Sequence, residues 1–260
     1  MGNRLPFIIT CVMKQSRFLW LFLSVFIYTQ SCKPVYQSQS VQFKGYRVGN
    51  AVTDSSMSVF LKPYSDSLNK SMNAVVAVLG SDLEKSQPEG TLGNFMADAM
   101  FVAAKNIYGE APDIAVMNYG GIRLPVVKAG SITRGKLFEL FPFDNVLVLL
   151  KLKGDVLQQF LDHIAGRGGW PVSGMTMQMQ NKKAVNVIIG GKPIDPAKTY
   201  TVALGDYTAN GGDDAAMLKG IPQLNKGYLM RDAIIDYFSS FQKAGKTIYV
   251  QKEKRVSNVE

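Results

Sequence analysis

The stretch Leu92 to Met117, LGNFMADAMFVAAKNIYGEAPDIAVM, changes its hydrophobic period partway along. Leu92, Phe95, Met96, Ala99, Met100 and Ala103 recur at the spacing of one helical face, with Gly109 placed to stop the helix. Asp113 to Met117 then reads as a short buried strand running into a Gly-Gly turn. Working outward, Asn145 to Leu150 (NVLVLL) is a second buried strand. Val156, Leu157, Phe160, Leu161 and Ile164 form a second helical stripe, ended by Gly166. Met175 to Gln180 alternates with period two, as a half-exposed strand does. Ala184 to Ile189 and Tyr200 to Leu204 are further strands, joined by the turn-rich GGKPIDPAK. Ala233, Ile234, Tyr237, Phe238 and Phe241 make a last helix, and Thr247 to Val250 a last strand. Helices and strands mixed without a regular βαβ cadence predict an α+β fold, a mixed sheet with packed helices.

The composition narrows the chemistry. Apolar residues are 47% of the 260 and charged residues 19%, which suits a packed domain and not a disordered chain. One histidine, His163, argues against a self-contained catalytic zinc or dinuclear metal site, since such sites draw on several imidazoles. His163 lies at the edge of the second helical stripe, where a packing role fits better than catalysis.

The first residues read as a targeting segment. Residues 1–31 carry Arg4, Lys14 and Arg17, no acidic residue, and the apolar run Phe18 to Tyr28. At about 11 residues that run is short for a membrane span. Met13 is an alternative start. Thr29-Gln-Ser-Cys32 directly after the run resembles a bacterial lipoprotein box, which would lipidate Cys32 as the first mature residue. An ordinary signal peptide or an anchor helix is the other way to read it. Residues 32–45 are polar and read as a tether, and the domain is placed over 46–260. Losing the three leader cations takes the net charge from +9 to +6, with lysines scattered, so no nucleic-acid polymer is expected as partner. The expected location is the bacterial cell envelope, lipid-anchored at the outer membrane or the periplasmic face.

Four short stretches look chosen for something besides packing. Asn118-Tyr-Gly-Gly-Ile-Arg123 offers a close backbone approach and a planar guanidinium for phosphate, or else a tight turn with a solvated arginine. Phe141-Pro-Phe-Asp-Asn145 sets an aromatic and an amide before a strand, or else plugs the core. Gly166-Arg-Gly-Gly-Trp-Pro171 is a glycine loop or a helix cap. Tyr207-Thr-Ala-Asn-Gly-Gly-Asp213 gathers an aromatic, an amide and a carboxylate, or else is a polar turn. Together they can outline a nucleotide site: aromatics sandwich a base, a carboxylate accepts from vicinal hydroxyls, amides meet the base edge and an arginine meets phosphate.

In order and flanks these stretches resemble the C-terminal domain of the 5'-nucleotidase family, whose motifs run LGNLIADAM, NGGGIR, PFGN, a glycine loop, then an aromatic followed by GGDG. This chain has LGNFMADAM (92–100), NYGGIR (118–123), PFDN (142–145) and Tyr207 through Gly211-Gly-Asp213, a likeness spanning about residues 75–256. The resemblance implies Phe143 and Tyr207 on the base, Asn145 and Asn118 on its edge, Asp213 on the ribose hydroxyls, Arg123 on phosphate, and Gly168 lining the pocket. Tyr119 and Asp144 replace family glycines, Asp214 follows GGD, and Lys85 stands where the family places arginines for phosphate. The family hydrolyses through a separate N-terminal metallophosphoesterase domain rich in Asp and His, and no DxH or GNH motif occurs here. The resemblance therefore implies a nucleotide-recognition part with no catalytic residue, metal ligand or cofactor of its own. Divalent metals are expected on a metallophosphoesterase partner. A stand-alone nucleoside-binding lipoprotein, and a structural descendant whose pocket is lost, are the rivals.

Overall fold

The computed structural model describes residues 44–45 and 54–259. The leader, Cys32 and nearly all of the tether expected over 32–45 lie outside the described residues. The elements run α1 (Ser55–Met72), β1 (Val75–Leu79), β2 (Leu83–Glu84), α2 (Thr91–Tyr108), β3 (Ile114–Val116), β4 (Val126–Val127), β5 (Gly130–Thr133), α3 (Arg134–Leu140), β6 (Val146–Lys153), α4 (Gly154–Gly166), β7 (Val172–Ser173) and β8 (Met175–Gln180). They continue with β9 (Lys183–Ile189), β10 (Lys192–Pro193), β11 (Thr199–Gly205), α5 (Asp206–Ala209), β12 (Gln223–Leu229), α6 (Met230–Lys243) and β13 (Val256–Asn258).

A five-stranded mixed sheet in the order β12-β6-β11-β3-β7 is the spine, with β11 and β3 parallel and the other pairs antiparallel. Both its faces are covered, which is why β6 reads as a nearly unbroken apolar run. Leu147 and Leu149 point into one core cluster with α2, α6 and β1, while Val148, Leu150 and Leu152 point into another with α4, β8 and β9. Neighbouring strands split the same way: Ala115 and Ala203 join the first cluster, and Ile114, Val116, Val202 and Leu204 the second. A second sheet, β10-β9-β8-β13, covers α4 from outside, with β13 parallel to β8. The α+β expectation, mixed sheet with packed helices, holds.

The stripe on α2 buries Leu92, Phe95, Met96, Ala99, Met100 and Ala103, and the helix ends at Gly109 with φ 80°. One expected element is corrected: Thr247 to Val250 does not form a strand, and only Ile248 makes an isolated bridge, to Leu79. The terminal strand is β13 instead. It is delivered by a strap in which the Glu89 carboxylate accepts from the backbone N–H of Glu253 (3.0 Å), Lys254 (2.9 Å) and Arg255 (3.0 Å). The Arg255 guanidinium then grips both Asp98 oxygens at 2.7 and 2.9 Å. The long helix α1 has no counterpart among the expected elements.

Candidate functional site

Three motif stretches leave the same end of the central sheet. Asn118 to Arg123 follows the C-terminal end of β3, and Tyr207 to Asp213 follows the C-terminal end of the parallel β11. Phe143 to Asn145 precedes β6, whose antiparallel pairing with β11 puts its N-terminus at that end too. Side chains far apart in sequence therefore converge on one pocket of about 480 Å³, lined by Asn118, Arg123, Phe143, Asn145, Tyr207 and Asp213 together with Asp144 and Asp206. Phe143 and Tyr207 are 37% and 49% exposed, so these rings are available to a flat ligand and not spent on the core.

The carboxylate Asp213 is held from several sides. Its Oδ2 accepts from Asn118 Nδ2 at 2.8 Å, and its backbone N–H donates to the Tyr207 hydroxyl at 3.2 Å. From behind, His163 Nε2 donates to the Asp213 carbonyl at 2.9 Å, which fixes that nitrogen as the protonated one. His163 also meets the Trp170 ring edge-on, and Arg167 pairs with Asp214. The expected packing role of His163 is thus a contact that steadies the site loop. A Cβ on Gly212 would lie 2.5 Å from the Tyr207 ring, so glycine is required there to let the ring lie across the turn.

Phe143 is steadied by a residue that the motifs do not reveal. Arg231, 9% exposed on α6, donates to the Phe143 carbonyl at 3.0 Å and pairs with Asp144. Asp206 was equally hidden: one of its carboxylate oxygens accepts from Val146 N (3.0 Å), Asn145 Nδ2 (3.2 Å) and Tyr207 N (2.8 Å), tying the β6 entry to the β11 exit. Arg123 reaches across the pocket mouth, its guanidinium carbon 5.3 Å from the Phe143 ring centroid.

Gly168 is placed elsewhere. It adopts φ 86° just after α4, with the Gln87 side chain against it, and is not among the pocket-lining residues. Its left-handed backbone serves to turn the chain off the helix. Lys85 is also diverted. Its ammonium donates to the Ile122 carbonyl at 2.7 Å and sits 3.9 Å from the centroid of the Tyr119 ring. Burial, and then the Arg123 charge, push the Lys85 pKa down. Among the described residues there is no group of three or more His, Cys, Asp or Glu side chains able to hold a metal ion.

The family and the fold have counterparts among known proteins. A family model described as 5'-nucleotidase, C-terminal domain, matches residues 69–220. A 5'-nucleotidase of Vibrio cholerae is 26% identical over 240 residues, covering 83% of this chain and 42% of that protein. The crystal structure of a 5'-nucleotidase precursor from Thermus thermophilus superposes with a TM-score of 0.67 at 26% identity, covering 77% of this chain and 42% of that one. A putative 5'-nucleotidase from Staphylococcus aureus shares the fold, with a TM-score of 0.63 at 14% identity over 82% of this chain and 46% of that one. The chain spans less than half the length of these relatives.

Proposed function

The chain belongs to the family of 5'-nucleotidase C-terminal domains, and from that premise we propose that it is the nucleotide-recognition part of a split 5'-nucleotidase. The observation that carries this is the convergence of Phe143, Tyr207, Asp213, Asn118, Asn145 and Arg123 on one pocket. In this reading Phe143 and Tyr207 take the two faces of the base, and Asn145 and Asn118 its edge. Asp213 accepts from the ribose hydroxyls, and Arg123 anchors the phosphate at the open end. Each of these acts binds or orients. In this reading the hydrolytic step, activation of water against the phosphate monoester, belongs to divalent metals held by a separate metallophosphoesterase polypeptide. Signal-directed export and lipidation at Cys32 would hold the protein at the outer membrane or the periplasmic face of a bacterial envelope.

One observation favours a second reading, a stand-alone nucleoside-binding lipoprotein. Tyr119, where the family has glycine, captures Lys85 and leaves Arg123 as the cation lining the pocket. Inorganic phosphate release from nucleoside monophosphates separates the two. The protein purified from its own cells together with a metallophosphoesterase should release phosphate, and the protein purified alone should not. Nucleoside binding with no effect on turnover by any co-purified phosphoesterase would leave the binder as the answer.

A further inference from the structure

None of the residues of helix α1 is buried, and only Met72, at the end beside Gly135 of α3, is less than exposed. Its apolar side chains, Val59 apart, nevertheless gather on one face. Met57, Leu61, Tyr64 and Leu68 follow one another at spacings of four, three and four residues, the seam that packs against another helix or a groove. Phe60 widens the same stripe, and these side chains are 49% to 68% exposed. The helix is built to persist: Asp54 caps it, accepting from Ser56 N at 2.9 Å and Met57 N at 3.2 Å. Yet it carries Pro63 in its interior, where a backbone donor is lost. A bare seam of this kind, rich in Met, Leu and aromatics, has the composition of an interface centre.

What covers it follows from its flanks and its place in the chain. A membrane-lying helix gathers unpaired Lys and Arg along its polar face. Here the other positions hold six serines and two lysines, Lys62 and Lys70, and Lys62 is tied to Asp66 at 3.0 Å. Two copies of the helix would meet along flanking positions Ser58, Phe60, Ser65 and Ser67, which hold no charge pair to set a register between them. The match to the C-terminal domain family begins at residue 69, in the last turn of α1. The matched family is by its description a C-terminal domain, which puts the rest of such a polypeptide on the α1 side of that boundary.

We propose that the stripe Met57, Phe60, Leu61, Tyr64 and Leu68 on α1 is the docking surface for the metallophosphoesterase partner, an inference that rests on the split-enzyme reading above. The test places a photo-crosslinking phenylalanine analogue at position 64 of the full chain in the cells that make it. The adduct is identified by mass spectrometry. An adduct with a metallophosphoesterase chain is expected. An adduct with a second copy, with lipid or with another class of protein, or no adduct, overturns the docking surface. The wild-type protein purified from the same cells is assayed for phosphate release from nucleoside monophosphates. Release without a phosphoesterase adduct sinks the docking surface and spares the split enzyme, whereas absence of both sinks both. A Leu61→Glu/Leu68→Glu chain should keep wild-type nucleoside affinity, a sign of intact folding, and lose tenfold or more of the phosphate release. Undiminished release from that variant overturns the proposal as well.

Discussion

Asp213 holds a left-handed backbone, φ 50° and ψ 36°, with its carboxylate on Asn118, its amide on the Tyr207 hydroxyl and its carbonyl on His163. A non-glycine residue there is tolerated best as Asp or Asn, so Asp213→Asn changes charge with little change in backbone cost. If Asp213 accepts from ribose hydroxyls, that variant should weaken ribonucleoside binding by roughly 10- to 100-fold, the worth of hydrogen bonds to a charged acceptor. Binding of 2',3'-dideoxynucleosides should scarcely move. Calorimetry with both ligands checks this, and an equal loss for both would assign Asp213 to loop structure alone. The residues that meet the ligand in this reading were legible because glycine-rich turns beside aromatics and amides stand out from packing patterns. Arg231 and Asp206 were not. Arg231 sits on a helix 88 residues from Phe143, and Asp206 bonds to Asn145 across 61. Nothing local in either stretch signals a partner so distant.

Among the elements, those with a strong period and a buried face were readable: α2, α4, α6, β6, β8, β9 and β11 all lie where periodicity places them. The misses have physical causes. Helix α1 gives its apolar stripe no partner in the described structure, and Pro63 reads as a break. Thr247 to Val250 has strand-like residues, but only Ile248 finds a bridge, and the Glu89 strap hands the terminal strand to residues 256–258. That strap is sensitive to acid. Burial raises the Glu89 pKa, but the bonds from Asn94 and the amides of Arg255, Glu253 and Lys254 outweigh it and hold it below the ordinary 4.5. A lowered carboxyl pKa contributes stability that is fully present above the ordinary value and is lost as pH falls through the lowered one. Protection of the amides of residues 253–255, measured against their intrinsic exchange rate at each pH, should therefore fall as the pH drops through that lowered pKa, and Glu89→Gln should remove that acid dependence. Hydrogen exchange followed by mass spectrometry reads both.

Across the whole molecule, one sheet does two jobs. Its faces are buried in two separate clusters, which makes it rigid, and one of its ends carries the loops that form the pocket. A site supported this way is preorganised, with exposed rings and bonded polar groups already in place before any ligand arrives. The central claim is that this pocket takes a nucleoside between Phe143 and Tyr207. The most direct measurement is calorimetric titration of the purified protein with adenosine, guanosine, cytidine and uridine in turn, repeated on Phe143→Ala and Tyr207→Ala. The account predicts saturable one-site binding of at least one nucleoside, weakened roughly 5- to 150-fold by either substitution, as the loss of one stacking partner dictates. No binding of any nucleoside, or binding that both variants retain unchanged, would contradict it.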